Sequence, residues 1–477
     1  MKRSRRVATY VWRMTTDKPS SFRSIGVALA AASLGFALIQ LDVTIVNVAL
    51  PRIGTTLQAP VDALQWVVDA YALVFAVLLL TGGLLGDRFG ARRLFRIGLG
   101  LFALASLGCG AAPNAGLLIV MRALQGAGAA AMLPSSLALL NHACHHDAQL
   151  RARAVGLWTA AGGVTIAAGP LIGGLLIAAG SWRTIFLVNL PICAAGAWLT
   201  ARVDETERAS HTAHLDIAGQ ALAIMALAGL IGGVIELRPL GALHPVVIGG
   251  FALALAAGAA FVRCEARSLA PMVPLRFFRL PGFAPAVGFG ILANLTYYGI
   301  IFVLSLYLQR VLGYSALTAG LAYLPLTATF IVSNVASGWL AGRVGTRGPM
   351  IAGALIGAAG FALLLGLGPH TLYIRMLPGF VLIPLGMGLA VPAMTTTVLG
   401  TVDKSASGIA AAVLNAARQA GGAVGVALFG AFAGNGHLVS GLHAGVLVAT
   451  AALLGAAGLA AWGIRNRQAA ALSPERA

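Results

Sequence analysis

Long apolar segments, separated by short polar loops, set the strongest limit on how this chain can fold. About 20 apolar residues in a helix span the roughly 30 Å hydrocarbon core of a bilayer, where backbone groups must be paired within the protein. A window of that length finds fourteen candidate spans. They cover residues 24–50, 64–86, 94–112, 115–140, 154–178, 184–200, 216–237, 244–262, 283–308, 317–341, 349–367, 372–398, 408–432 and 442–462. The sequence therefore predicts an all-α integral membrane protein with 14 transmembrane helices.

The composition excludes a soluble protein. Apolar residues make up 59% of the chain and charged residues 10%, against about 45–50% and about 25% in soluble domains. The net charge is +18, but the basic residues lie between the spans rather than on one face. This distribution indicates contacts with lipid headgroups and argues against nucleic acid as a partner.

The distribution of Lys and Arg also predicts the orientation. Of the 32 such residues, 25 lie in the two tails and in every second loop if Arg96, at the start of the third span, is counted with its loop; four lie in the opposite loops and three lie deeper inside spans. The four are Arg52, Arg183, Arg238 and Arg310. Because cytoplasmic loops are enriched in positive residues, both termini are predicted to be cytoplasmic.

An internal repeat divides the chain into two halves. Segment 83–92 is similar to 338–347, and 122–126 is similar to 375–379, at nearly the same shift. This pattern predicts two pseudo-symmetric six-helix bundles with two inserted central helices, and duplicated bundles place a substrate site near the membrane midplane at their interface. The predicted units are a basic cytoplasmic tail (1–23), an N-terminal bundle (24–202), a linker with two extra helices (203–262), a cytoplasmic loop (263–282), a C-terminal bundle (283–464) and a cytoplasmic tail (465–477).

Five motifs occur in order along the chain. They are segment 41–51 in the first span, loop segment 83–93, the group Arg122, Gln125, Gly126 and Gly128 in the fourth span, segment 169–174 in the fifth span, and the group Asn415, Arg418, Gln419, Gly421 and Gly422 in the thirteenth span. With these motifs the chain resembles the major facilitator superfamily over nearly its whole length. It is most similar to the fourteen-span drug:proton antiporters, which include multidrug and quaternary-ammonium exporters.

The resemblance implies proton-coupled efflux (antiport) of small amphiphilic drugs, antibiotics or antiseptics by alternating access across the bacterial cytoplasmic (inner) membrane. It implies a monomer without a cofactor, driven by the proton motive force, whose partners are the substrate, protons and membrane lipids. A facilitator or proton symporter that imports a small nutrient or metabolite shares this fold and is the alternative. An enzyme is not expected, because the spans offer neither a nucleophile with a base nor a set of metal ligands.

Three charged residues in the spans are candidates for proton coupling: Asp42, Asp69 and Arg122. A charge at the centre of a bilayer costs about 2.5–3.5 kcal/mol by insertion scales, so each needs a partner or, for the acids, a proton. At about 1.5 Å per residue the three lie at similar depth, roughly 8–12 Å below the outer helix ends. They could form one network. A structural ion pair that only lowers the cost of insertion is the alternative.

The first span separates its polar residues onto two faces. Gln40, Thr44 and Asn47 share one stripe, while Asp42 lies on the opposite side at about 100° per residue. Either the stripe lines the substrate path and Asp42 faces neighbouring helices, or the reverse holds. In the fourth span, Gln125 follows Arg122 by three residues and is expected to orient its guanidinium group. Gln125 is also a candidate for the substrate cavity, together with Gln40, Thr44 and Asn47.

The second half contributes further candidates for the substrate cavity. Asn294, Tyr298 and Ser305 share a stripe on the ninth span, and Arg418 lies in the thirteenth. Apart from Asp216 and Arg96 at the first turns of their spans, the spans hold three acidic residues, counting Glu236, and three arginines. This balance weakens the inference that the substrate is a cation.

The fifth span carries the sequence features of a flexible, closely packed helix. Pro170 removes one backbone hydrogen bond, and Gly169 with Gly173 forms a face of small residues that lets another helix approach. Gly174 follows in the same motif. The resemblance implies a role in alternating access and in preventing leak, whereas an ordinary packing seam is the alternative.

The loop motif begins at Gly83 and includes Asp87, Arg88 and Gly90. Gly90 permits a tight turn, and Asp87 can cap a helix or hold an arginine. The resemblance implies that Asp87 forms a latch to the other bundle. In the second-half copy Gly342 stands where Asp87 is expected, so no latch is predicted there. Arg88 is expected to contact lipid phosphate.

No metal site is predicted. The four cysteines, Cys109, Cys144, Cys193 and Cys264, are scattered, which argues against a disulfide framework and against zinc. The stretch 141–147 is rich in His and Cys but lacks the spacing of a zinc motif.

Overall fold

The computed structural model describes residues 22–144, 148–206, 216–268, 271–403, 406–434 and 438–464, and within these ranges the chain is helical with no β-strand. The helices are α1 (Phe22–Thr56), α2 (Val61–Phe89), α3 (Ala91–Ala111), α4 (Ala115–Ala143), α5 (Ala148–Ala179), α6 (Thr184–Leu187), α7 (Asn189–Thr200), α8 (Ile217–Leu240), α9 (Pro245–Arg267), α10 (Phe283–Leu306), α11 (Ala316–Ala322), α12 (Leu324–Val344), α13 (Arg347–Leu363), α14 (Leu377–Thr401), α15 (Ser407–Ala433) and α16 (Leu438–Gly463). Both predicted tails lie outside the described residues, apart from residues 22 and 23 at the start of α1.

Eleven helical segments of the described residues are long and apolar enough to cross a bilayer. A twelfth is α5, if its two parts, Arg153–Ile166 and Ala168–Ala179, form one span bent by 45°. Pro170 follows this bend closely, and proline removes the hydrogen bond to the carbonyl four residues earlier. The segment Thr184–Thr200 is apolar but shorter. The chain is thus an all-helical membrane protein in which eleven to twelve of the fourteen predicted spans pass this test.

The same helix pairings recur in the two halves. In the N-terminal half α1 packs on α5, α2 on α4 and α3 on α4. In the C-terminal half α10 packs on α15, α12 on α14 and α13 on α14. The halves meet mainly through α2 with α15 and through α5 with α11 and α12. A substrate path between the halves would therefore run between these helices.

The inserted helices α8 and α9 lie at one side of this interface. α8 packs on α2 and α15, and its apolar residues form a cluster with Leu73 of α2 and Ala427 of α15. The Gln220 amide of α8 donates a hydrogen bond of 2.8 Å to the Val77 carbonyl of α2 and also bonds to Thr81. α9 packs against α8 and has few buried residues, as expected for a helix that faces lipid.

Candidate functional site

A buried polar network holds Asp42 in the middle of the N-terminal bundle. Arg122 forms an ion pair with one carboxylate oxygen. The other oxygen accepts hydrogen bonds from Gln125 Nε2 at 3.3 Å and Asn189 Nδ2 at 3.2 Å. Both amides also donate to Ser106 Oγ, at 2.8 Å and 3.2 Å respectively. All five side chains are at most 1% exposed, so the network lies in a low-dielectric environment where each interaction is strong.

The close approach of α2 and α4 fixes the position of Arg122. A Cβ atom at Gly126 would lie 2.5 Å from the Tyr71 carbonyl oxygen, so only glycine allows this crossing. One turn earlier on α4, Arg122 Nε donates to the Val67 carbonyl at 3.0 Å, and the guanidinium lies 4.4 Å from the centre of the Tyr71 ring. Gln125 accepts a 3.0 Å hydrogen bond from Arg122 Nη1 and so orients it from the same helix.

Asp69 does not join this network. Its side chain is fully buried, and neither carboxyl oxygen has a hydrogen-bond partner among the described residues. The expectation of a single network holding Asp42, Asp69 and Arg122 is therefore wrong for this structure. The reason is angular: Val67 faces Arg122, and a residue two positions further on lies about 200° around the helix. Asp69 lies at a depth similar to that of Arg122, but on a different face of α2 from the one that contacts Arg122.

The two faces of α1 have different surroundings. Gln40 lines the central cavity described below, and Thr44 and Asn47 border a smaller space beside Pro170 and Tyr298. Asp42 points to the neighbouring helices of its own bundle. The sequence left open whether the polar stripe of Gln40, Thr44 and Asn47 or Asp42 faces the substrate path. In this structure the stripe faces the interface between the bundles, and Asp42 faces its own bundle.

A central cavity of about 410 Å³ lies between the two halves. Its polar lining consists of Gln40, Thr159, Tyr298, Asn334, Asn415, Arg418 and Gln419, and the rest is mostly apolar, including Phe36, Phe75, Leu133, Val164, Ile166, Phe330 and Ile331. A cavity of this size and composition suits a drug-sized amphiphile.

The remaining predicted cavity residues lie beside the cavity rather than in its wall. Asn294 is 5% exposed, and its Oδ1 accepts a 3.2 Å hydrogen bond from Arg418 Nε. Gln125 belongs to the Asp42 network, and Ser305 is buried between the two halves. Sequence reasoning identified neither Ser106 nor Asn189 as part of this network. An isolated serine or asparagine in an apolar helix gives no signal of its partner.

The two ends of the helices differ in how tightly the halves meet. We call the end that carries the α1–α2 loop the Arg52 end and the end that carries the α2–α3 loop the Gly90 end. The cavity residues of α5, from Gly156 to Ile166, and those of α15, from Asn415 to Gln419, belong to the part of each helix nearest the Gly90 end. The cavity thus occupies the half of the protein toward the Gly90 end.

Hydrogen bonds close the Arg52 end. Ser305 donates to the Asn47 carbonyl, Gln309 Nε2 donates to the Val48 carbonyl at 3.0 Å, and Gln65 Nε2 donates to a carbonyl of α15 at 2.7 Å. These side-chain hydrogen bonds join the two six-helix halves at this end. The structure is therefore closed at the Arg52 end and holds its cavity toward the opposite end.

The glycine motif of α5 forms close contacts on two sides. A Cβ at Gly173 would lie 2.9 Å from Ile45 of α1, and Gly169 contacts the same helix. On the other side, a Cβ at Gly174 would lie 2.8 Å from the backbone of α11, and the Pro170 carbonyl contacts Gly320. The motif thus packs α5 against both halves at the closed end.

The loop motif does not form the expected latch in this structure. Asp87 is exposed and makes no ion pair with any described residue. Gly90 has φ +96°, a backbone conformation that favours glycine, and Glu205 lies against it. The Arg88 guanidinium lies 5.4 Å from the neighbouring Phe89 ring. Gly83 makes no close contact.

The described residues contain no group of three or more His, Cys, Asp or Glu side chains that could hold a metal ion. Residues 145–147 of the His-rich stretch lie outside the described ranges. The four cysteines lie in the described residues, and none of them forms a disulfide bond.

Comparisons with known proteins agree on one family. The family model described as Major Facilitator Superfamily matches residues 32–426. A methylenomycin A resistance protein of Bacillus subtilis is 38% identical over 413 residues, which cover 86% of this chain and 88% of the relative. The multidrug resistance protein Stp of Mycobacterium tuberculosis is 36% identical over 404 residues, covering 85% and 75%. The crystal structure of a D-xylose–proton symporter superposes with a TM-score of 0.68 at 16% identity and covers 93% of this chain and 98% of its own, which shows a shared fold.

Proposed function

Because the chain belongs to the Major Facilitator Superfamily, we propose that it exports small amphiphilic drugs, antibiotics or antiseptics in exchange for protons. The observation that carries this proposal is a drug-sized amphiphilic cavity between two halves, closed at one end, in a fold that also buries two carboxyl groups within its spans. The names of the relatives, which are resistance and multidrug resistance proteins, support the direction of transport and the class of substrate.

Family membership confirms the resemblance recognised from the motifs and confirms that the chain is a transporter rather than an enzyme. Relatives in bacteria and many apolar helices make it a bacterial multi-pass membrane protein. Members of this family generally work without a cofactor and as single chains that handle small substrates.

In the proposed topology the chain crosses the cytoplasmic membrane fourteen times. Eleven of these spans are the segments that are long and apolar enough to cross a bilayer. The other three are the bent helix α5, the short segment formed by α6 and α7, and α15. An even number puts both termini on one side, and the distribution of Lys and Arg supports the cytoplasm as that side. The Gly90 end is then cytoplasmic, and the structure represents a state open to the inside. The chain acts as a monomer, and the proton motive force supplies the energy.

The proposed cycle uses the two buried acids differently. In the inward-open state substrate enters from the Gly90 end. When the halves rock and the Arg52 end opens, protons reach the acids and substrate leaves. A proton on Asp42 removes the charge that holds Arg122, whereas Asp69, which has no partner among the described residues, is cheaper to bury as a neutral acid. Each proton supplies about 1.4 kcal/mol per pH unit and about 2.3 kcal/mol per 100 mV.

Everted membrane vesicles test this proposal. Substrates from a panel of antibiotics, antiseptics and dyes are added after a pH gradient is formed, and collapse of the gradient reports antiport. We expect Asp42→Asn and Arg122→Ala to abolish the collapse while the protein still inserts. Asp204→Asn, which removes an exposed carboxylate outside the spans, should behave as the unmodified protein. Full activity of either buried variant would refute the assignment, and substrate uptake into intact cells would favour the import alternative.

A further inference from the structure

The charge of the cavity lining distinguishes between classes of drug. Of the described residues that line the central cavity, Arg418 alone is charged, and none is acidic. Asp42, the nearest candidate on α1, is already neutralised by Arg122 and faces away from the cavity. Asp69 does not line the cavity either. A cationic substrate would therefore find no described carboxylate to pair with, and would meet a positive charge.

Arg418 is held in place and yet has free hydrogen-bonding capacity. Its Nε donates to Asn294 Oδ1 at 3.2 Å, while its two terminal nitrogens make no hydrogen bond or ion pair with a described residue. Asn415 and Gln419 line the cavity from the same helix. A guanidinium group offers parallel N–H donors that match the two oxygens of a carboxylate. In a low-dielectric cavity such a cation favours an anion as its partner.

The rest of the lining fits an apolar body attached to that anionic group. Phe36 stacks on Trp158 with ring centres 4.1 Å apart, and Phe75 and Phe330 add two more aromatic side chains to the wall. We infer that the cavity recognises amphiphilic anions, with a carboxylate at Arg418 and an apolar or aromatic body against these rings. This inference rests on the proposed export function and narrows its substrate class.

The inference has a consequence for energetics. Exchange of one inward proton for one outward monoanion moves two charges across the membrane, whereas exchange for a monocation moves none. Export of an acidic drug should therefore depend on the membrane potential even at a stoichiometry of one proton, at about 2.3 kcal/mol per charge per 100 mV.

Binding of three dyes that share a fluorophore but differ in head-group charge tests this inference without a proton gradient. Dansylglycine is an acid, dansylamide is neutral and dansylcholine is a cation. Each is titrated into the purified full-length protein and followed by dansyl fluorescence. We expect dansylglycine to bind at least about tenfold more tightly than dansylamide, and dansylcholine to bind least. Arg418→Gln should remove the preference for the acid, and Arg418→Lys should retain part of it.

The matched control is Arg375→Gln, the same change at an exposed arginine outside the cavity, which should keep the preference. Size-exclusion chromatography and circular dichroism confirm that each variant is folded. Tighter binding of dansylcholine, absence of dansylglycine binding, or a preference unchanged in Arg418→Gln would overturn the inference. If dansylglycine binds through Arg418 but no compound collapses a pH gradient, the proposed proton antiport fails while the substrate class stands.

Discussion

The hydrogen bond of Gln65 offers a direct measure of what keeps the Arg52 end closed. Its Nε2 donates to the Ala427 carbonyl at 2.7 Å, and the side chain lies against Gly430 of the same helix. A hydrogen bond of this kind contributes about 0.5–1.5 kcal/mol. Gln65→Met keeps the length of the side chain and removes the donor. If the bond exists only in the closed state, the ratio of open to closed molecules should rise about 2- to 13-fold.

Distances between spin labels across the Arg52 end, measured by double electron–electron resonance in nanodiscs, report this ratio. Cysteines at the exposed positions Thr56 and His370 carry the labels, in a background in which Cys264, the one cysteine that is not fully buried, is replaced by Ser. Gln65→Met should increase the population at long distance. Gln58→Met makes the same change at an exposed residue of this end and should have no effect. Identical distance distributions for all three proteins would refute the role of Gln65.

Three further substitutions follow from the packing. Gly126→Ala forces a Cβ against the backbone of α2 and should lower the melting temperature of the purified protein by several degrees, whereas Gly100→Ala, which meets no atom within 4 Å, should not. Asn189→Ala removes one donor to Asp42 and should cost about 1–3 kcal/mol of stability; the melting temperature measures this, and unchanged stability would contradict it. Gly90→Ala places a side chain at φ +96° and ψ 130° at a cost of about 1–3 kcal/mol, visible as reduced yield of folded protein, and a normal yield would contradict this.

Hydrophobicity and helix geometry explain which features were predictable. Spans follow from run length because the bilayer imposes it, and eleven to twelve of them pass the test in the structure. The pairing of Asp42 with Arg122 could be predicted from their depth in the membrane, because both side chains need a partner in hydrocarbon and the helix rise places them at a similar level. The contact of Gln125 with Arg122 could be predicted from their spacing of three residues on one helix.

Features that depend on the relative rotation of helices were not predictable. The sequence does not say that Val67 faces α4, and without that fact the direction of Asp69 is open. The same holds for Asn189, whose amide donates to both Asp42 and Ser106 and so joins three helices. Gln125 was expected in the cavity because it is polar, but its amide is used entirely within the bundle. A polar residue in a span can form its hydrogen bonds with another polar residue of the protein as readily as with a substrate.

The inserted helix α8 contacts helices of both halves, and the kind of contact indicates which half it follows. Gln220 of α8 forms two hydrogen bonds with α2: its amide nitrogen donates to the Val77 carbonyl, and its amide oxygen accepts from the Thr81 hydroxyl. The contacts of α8 with α15 are apolar and involve small residues such as Ala423 and Ala427, which can slide without breaking a hydrogen bond. When α2 and α15 separate at the Arg52 end, α8 should therefore move with α2. The inserted helices α8 and α9 would then cover the gap that forms between α2 and α15, so that the cavity opens toward water rather than toward lipid.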